Sequence, residues 1–192
     1  MLSLIDMKDC IQSKEISDDQ FLNLHIVIES YFKRLLMIGL RNNGVQYKCA
    51  SKVADRFHSQ PSDLIKKVWK LIKIDIKDLE KDKNYTAINN CHLNFTSVYR
   101  NQRLHGVIPK IENKELLELL IKVDKAYIQM IENNLRKLKN ASCFNSPKEW
   151  GIKKKGTISN IDEAMKKFFD KESKTKIMSR DEVKKIIEKL KL

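Results

Sequence analysis

Five glycines and three prolines are the only strong turn-formers in 192 residues, and this scarcity constrains the fold more than any other feature of the chain. Sheets joined by many tight turns use more of both. Lys, Leu, Ile and Glu dominate instead, and these residues suit long helices. Apolar spacing agrees. Phe21, Leu24, Ile28, Phe32, Leu35 and Leu36 recur every three or four positions, which predicts a helix over residues 18–40. Ser17 stands as its N-cap, with Gln20 in capping-box position, and Arg41-Asn42-Asn43-Gly44 supplies a stop. A stripe of Ile65, Val68, Trp69, Ile72, Ile76 and Leu79 predicts one helix from Pro61 and Ser62 to about residue 82. Ile88, Cys91, Phe95 and Val98 share a face of a further helix over 86–104, punctuated by Gly106 and Pro109. Asn113 caps the last long helix, 114–139, whose inward residues are Leu117, Leu120, Tyr127, Ile131, Leu135 and Leu138. Shorter helices are expected over 2–11 and 47–57.

Beyond Asn140 the character changes. Residues 141–192 hold 14 Lys and Arg against 8 Asp and Glu, so 14 − 8 = +6 of the chain's +13. Lys153-Lys154-Lys155 sits between Gly151 and Gly156 as an exposed loop. Two short helices are expected near 161–169 and 181–190, the second with Ser179 and Glu182 as a capping-box pair. The expected fold is therefore all-α: a helical bundle of four to five core helices over 1–140, with a basic helical C-terminal extension over 141–192.

Composition narrows the function. At 42% hydrophobic residues the chain is too apolar for a disordered segment. The charge of +13 favours a polyanionic partner, nucleic acid ahead of membrane. The four cysteines, at 10, 49, 91 and 143, are scattered, with no zinc-type spacing among them or with the histidines. They are expected as reduced thiols. Residues 1–10 carry Asp6 and Asp9 and too short an apolar run for a signal peptide. The longest apolar stretches fall far short of a membrane span. A cytoplasmic protein is expected.

The informative segment is Tyr99-Arg100-Asn101-Gln102-Arg103-Leu104-His105-Gly106. An Arg and a His five apart are weak evidence alone; Asn directly after the Arg and Gly directly after the His make the pattern specific. The residue types suit acid–base work on a phosphodiester. A base must take the attacking proton and an acid must return one to the leaving oxygen. Histidine, with an ordinary pKa of about 6.5, does either near neutral pH. A guanidinium stays charged and holds two phosphate oxygens at once. Asn101 can orient the phosphate or the ring through its amide, and Gly106 lets the backbone end the helix.

This segment resembles the signature of the HEPN superfamily, in which Arg, often followed by Asn, precedes His by four to six residues. The architectural likeness covers about residues 15–140, where an apolar helix around Glu29 precedes the motif and a long helix follows it; residues 141–192 show no comparable likeness. The resemblance implies a metal-independent endoribonuclease without cofactors, in which the 2′-hydroxyl attacks the adjacent phosphate and leaves a 2′,3′-cyclic phosphate and a 5′-hydroxyl. It implies a homodimer whose two motifs meet in one site, with Arg100, Asn101 and His105 catalytic. A toxin or defence effector restrained by an antitoxin or other regulatory protein would fit. In the subgroup paired with small nucleotidyltransferases, a Tyr often stands two residues after the His. Here that position is Val107, which argues against such a partner.

In a continuous helix, five residues turn through about 500°, leaving Arg100 and His105 about 140° and 7.5 Å apart. Either the helix loosens before His105, or the groups act across a dimer. Arg103 is expected on RNA phosphate or in solvent. Tyr99 stacks on a base or packs in a core or interface. Glu29 pairs with Arg100 or, four residues on, with Lys33. Lys153, Lys154 and Lys155 contact RNA or form a solvated loop. His25, His58 and His92 have no partner at motif spacing and are expected to be structural. Set against the nuclease is a non-catalytic helical module that grips RNA or another protein, and a third reading has the C-terminal extension docking a neighbouring subunit.

Overall fold

Long amphipathic helices need partners on their apolar faces, and the chain supplies them by folding back on itself. The computed structural model describes residues 3–56, 61–152 and 155–169. In order these form α1 (Leu4–Gln12), α2 (Asp18–Asn42), α3 (Tyr47–Arg56), α4 (Pro61–Leu71), α5 (Ile76–Glu80), α6 (Lys83–Cys91), a π-helical turn (His92–Thr96), α7 (Ser97–Leu104), α8 (Lys114–Lys139) and α9 (Ile161–Phe168). The described residues contain no sheet, only an isolated parallel bridge between Val45 and Ile158. The fold is an all-α bundle. None of its described helices is long and apolar enough to cross a membrane.

The central element is α2, against which α1, α3, α4, α7 and α8 all pack. Its apolar stripe lies in the core as the spacing demands: Phe21, Leu24, Ile28, Phe32, Leu35 and Leu36 are all buried. Ser17 caps it by accepting from the Gln20 amide. Gln20 does not complete the capping box. Its amide nitrogen donates instead to the Cys10 carbonyl at 2.8 Å, tying the end of α1 to the start of α2. On α8, Leu117, Leu120, Tyr127, Ile131 and Leu135 are buried, and Asn113 caps the helix through the Leu116 amide. The four cysteines are free thiols.

Two expected helices are interrupted. The helix from Pro61 stops at Leu71, and α5 starts afresh at Ile76. The Lys73 amide donates to the Lys70 carbonyl and the Ile74 amide to the Trp69 carbonyl, with Lys73 left-handed at φ 60°. That is a Schellman stop with lysine where glycine is usual. The helix expected over 86–104 begins earlier, at Lys83, and its α-helical bonding gives way to the π turn at His92–Thr96. The apolar face expected there is also displaced: Cys91 and Val98 are exposed, while His92 and Thr96 face the core.

The described part of the C-terminal extension is docked on the bundle. Ala141, Cys143, Ile158, Ala164 and Phe169 are buried. The Arg34 guanidinium donates to the carbonyls of Cys143 and Asn145. Buried Glu132 of α8 accepts from the Cys143 amide and from the Tyr31 hydroxyl. So the described residues beyond Asn140 dock on their own chain, those around Cys143 on α2 and α8 and α9 on α3. The helix expected over 181–190, with Ser179 and Glu182, lies outside the described residues, as does His58.

Candidate functional site

The motif occupies the last two turns of α7 and its exit. None of the residues in α7 is buried. The exit is a Schellman stop: the Gly106 amide donates to the Arg103 carbonyl and the Val107 amide to the Gln102 carbonyl at 2.8 Å. Gly106 takes the left-handed conformation this stop requires, at φ 70°. The His105 amide still donates to the Asn101 carbonyl at 2.9 Å, so the helix has not loosened before the histidine. Of the two ways around the angular separation, loosening does not occur.

His105 and Asn101 are exposed and Arg100 is half-buried. At about 100° per residue, Asn101 lies about 100° from Arg100 and only about 40° from His105. The Arg100 guanidinium reaches across part of that gap: Nη1 donates to Asn101 Oδ1 at 3.0 Å. Asn101 therefore draws the cation toward the face that His105 shares. The same end of the molecule exposes Val98, Leu104 and Val107.

The flanking residues hold this helix end. Arg103 Nε donates to Asp18 Oδ2 at 2.9 Å, and the other oxygen of that buried carboxylate accepts from the Ile111 amide at 3.3 Å. One side chain at the start of α2 thus grips the chain on both sides of the Gly106 stop. The fully solvated alternative for Arg103 does not hold. Tyr99 is half-buried, edge-on to Phe95 at 5.2 Å, and packs against the core. Glu29 pairs with Lys33 at 2.8 Å, as the four-residue spacing on one helix favours, and Arg100's hydrogen bond goes to Asn101. Lys155 is exposed beside Arg41, Gly156 and Thr157, where it lines a cleft of about 430 Å³. Lys153 and Lys154 lie outside the described residues.

Behind the motif lies a feature the sequence did not announce. Asp124 of α8 is fully buried, with His92 Nδ1 at 2.8 Å and the Thr96 hydroxyl at 2.8 Å from its Oδ1. A carboxylate only accepts, so His92 carries its proton on Nδ1. His25 Nε2 of α2 approaches Oδ2 at 3.1 Å, at an angle short of a proper hydrogen bond. The His92 ring stacks on Tyr127 at 4.0 Å and lies 5.4 Å from the His25 ring. Burial pushes the Asp124 carboxyl up, but the close approach of His25 and the bond and approach of His92 outweigh it and hold it below the ordinary carboxylate value. Burial holds the His92 imidazole below the ordinary histidine value despite its bond to Asp124. No group of three or more His, Cys, Asp or Glu among the described residues has the geometry to hold a metal ion.

No family model, curated protein or solved structure matches this chain.

Proposed function

We propose that this protein is a metal-independent endoribonuclease of the HEPN type that cuts RNA from a composite site formed by two copies of the chain. The observation carrying the reading is the placement of one guanidinium, one carboxamide and one imidazole at a single solvent-facing helix end, with Arg100 already bonded to Asn101. A 2′-hydroxyl loses its proton to one His105 and attacks the adjacent phosphorus. Arg100 holds the non-bridging oxygens as charge builds on them. A second His105 returns a proton to the departing 5′-oxygen, leaving a 2′,3′-cyclic phosphate and a 5′-hydroxyl.

The unbroken helix is the reason for invoking two copies. Within one chain the helical turn carries Arg100 and His105 apart. A two-fold axis at this helix end places the Arg100 of one copy opposite the His105 of the other. The exposed Val98, Leu104 and Val107 give such a contact an apolar component. Once Asp18 has taken Nε, the remaining nitrogens of Arg103 are available to RNA phosphate, whereas exposed Lys155 stands beside Arg41 at the other end of α2 and is no part of this site. A toxin or defence effector, restrained by a regulatory protein, is the biological setting we favour.

The test is an RNA cleavage assay in EDTA with analysis of both product ends. Cyclic phosphate and 5′-hydroxyl ends are expected; intact RNA, or ends bearing a 5′-phosphate, would remove the reading. The alternative, a helical module that binds RNA or protein without chemistry, draws on the same exposed apolar residues. It predicts salt-sensitive RNA binding and no new ends.

A further inference from the structure

The buried cluster behind the motif does more than fill the core. We propose that His92, Thr96 and Asp124 are positioning residues for the motif, because together they fix the π-helical turn that sets the direction in which Arg100, Asn101 and His105 leave the bundle. This rests on the nuclease reading for its catalytic consequence.

A π turn closes on the residue five positions back rather than four. Here the Ser97 amide donates to the His92 carbonyl across that longer step. Such a turn takes up one residue more than an α turn. The helix beyond it therefore leaves rotated by the angle of one residue, about 100°, relative to an unbroken α-helix. A rotation of that size moves Asn101 and His105 from the exposed face toward its flank. The motif's orientation thus depends on what keeps the turn in its wide form.

Asp124 does this through one oxygen. His92 at the start of the turn and Thr96 at its end both bond Oδ1, at 2.8 Å each. The Thr96 oxygen also lies 3.1 Å from the His92 carbonyl and 3.0 Å from Nδ1. In a π turn the fourth residue falls just short of a full turn, where in an α-helix it overshoots by about 40°; here His92 and Thr96 converge on one buried acceptor. The ring of His92 is clamped from both sides, by Tyr127 of α8 and by His25 of α2. A buried carboxylate is costly unless it is bonded, so closing the turn to α geometry, which carries Thr96 across to the other side of His92 on that face, pulls the hydroxyl off Oδ1. The bond network thereby favours one register of the motif helix over the other.

Single-turnover and steady-state cleavage of a short RNA separates positioning from packing. His92→Leu keeps the bulk and removes the donor; His92→Asn keeps an N–H near the place of Nδ1; Thr96→Val removes only the hydroxyl. A misplacement of this kind lowers kcat by about 100-fold in His92→Leu, with KM within about twofold. Thr96→Val falls between it and wild type, and His92→Asn recovers about tenfold of the loss. Wild-type kcat in both His92→Leu and Thr96→Val, or equal loss in both His92 variants, overturns the proposal. Should His92→Leu not fold, the isosteric Thr96→Val decides alone. Should wild type itself cut no RNA, the nuclease reading fails, and the backbone amide resonances of residues 100–105 decide this one. They must shift in His92→Leu and return toward wild type in His92→Asn; unmoved resonances sink it.

Discussion

The helix Lys114–Lys139 and the stretch Lys83–Leu104 pack against each other and were drawn from equally plain-looking sequence, yet they follow different rules. The first is one unbroken α-helix whose apolar stripe lies in its buried face, with Asp124, Glu132 and Asn134 buried beside it. The second is broken by a π turn, faces the core with a histidine and a threonine, and ends in eight residues none of which is buried. The long helix spends its inward apolar side chains on packing and lends one carboxylate, Asp124, to its broken neighbour. The broken one has its polar groups anchored from behind and its last turns free in front. Local rules tend to fail where a chain must hold a particular geometry rather than merely a compact one, and here they fail directly behind the Arg-Asn-x3-His motif.

Mutations on the two sides of this comparison should separate. Leu120→Ala, at a fully buried position of the long helix, is expected to cost about 3 kcal/mol in urea unfolding. Cleavage per folded molecule should stay at the wild-type level. On the other side, Arg103→Leu leaves the buried Asp18 carboxylate with only the Ile111 amide, an expected loss of about 2 kcal/mol. Pairing it with Asp18→Asn should return part of that loss in a double-mutant cycle. Gly106→Ala forces a β-carbon into the left-handed stop and should cost about 1 kcal/mol, with thermal melting as the measure.

Acid should act through the same cluster, and with one sign. The His92 imidazole is held below its ordinary value of 6.5, so on acidification the unfolded chain takes up that proton before the folded chain does. Its contribution therefore declines as pH falls from neutral through 6.5 and toward the lower folded value. Asp124 is held below its ordinary 3.8, so what it contributes is present above that pH and is lost as pH falls through its folded value. The melting temperature should drop between pH 7 and pH 5, and His92→Asn should flatten that part of the curve. An equal slope in the variant would place the acid sensitivity elsewhere.

What could be read from sequence follows the same division. The two longest helices were legible because their apolar residues repeat at helical spacing and their caps, Ser17 and Asn113, are of the usual kind. The break at Ile72–Asp75 was not, because Lys73 occupies a position where glycine would have announced the stop. The π turn was hidden because apolar spacing pointed to Cys91 and Val98. The residues that turn inward, His92 and Thr96, are polar and make sense only beside Asp124, 32 and 28 positions away. A carboxylate on the buried side of an amphipathic helix was the one available signal, since Asp124 falls between Leu120 and Tyr127 on their inward stripe. Of the candidate site, Arg100, Asn101, His105 and Gly106 were visible as a motif. The partner of Arg103 was not, because an ion pair spanning 85 residues leaves no local mark.

The most direct measurement compares wild type with His105→Ala on the same RNA in EDTA, after both have been shown to melt alike. The imidazole is exposed at the helix end, so its removal should change stability by no more than about 0.5 kcal/mol. Cleavage should fall by about a thousandfold while RNA binding is kept. Cleavage by the variant at the wild-type rate would contradict the account, since the proton transfers assigned to this side chain would then be made by something else.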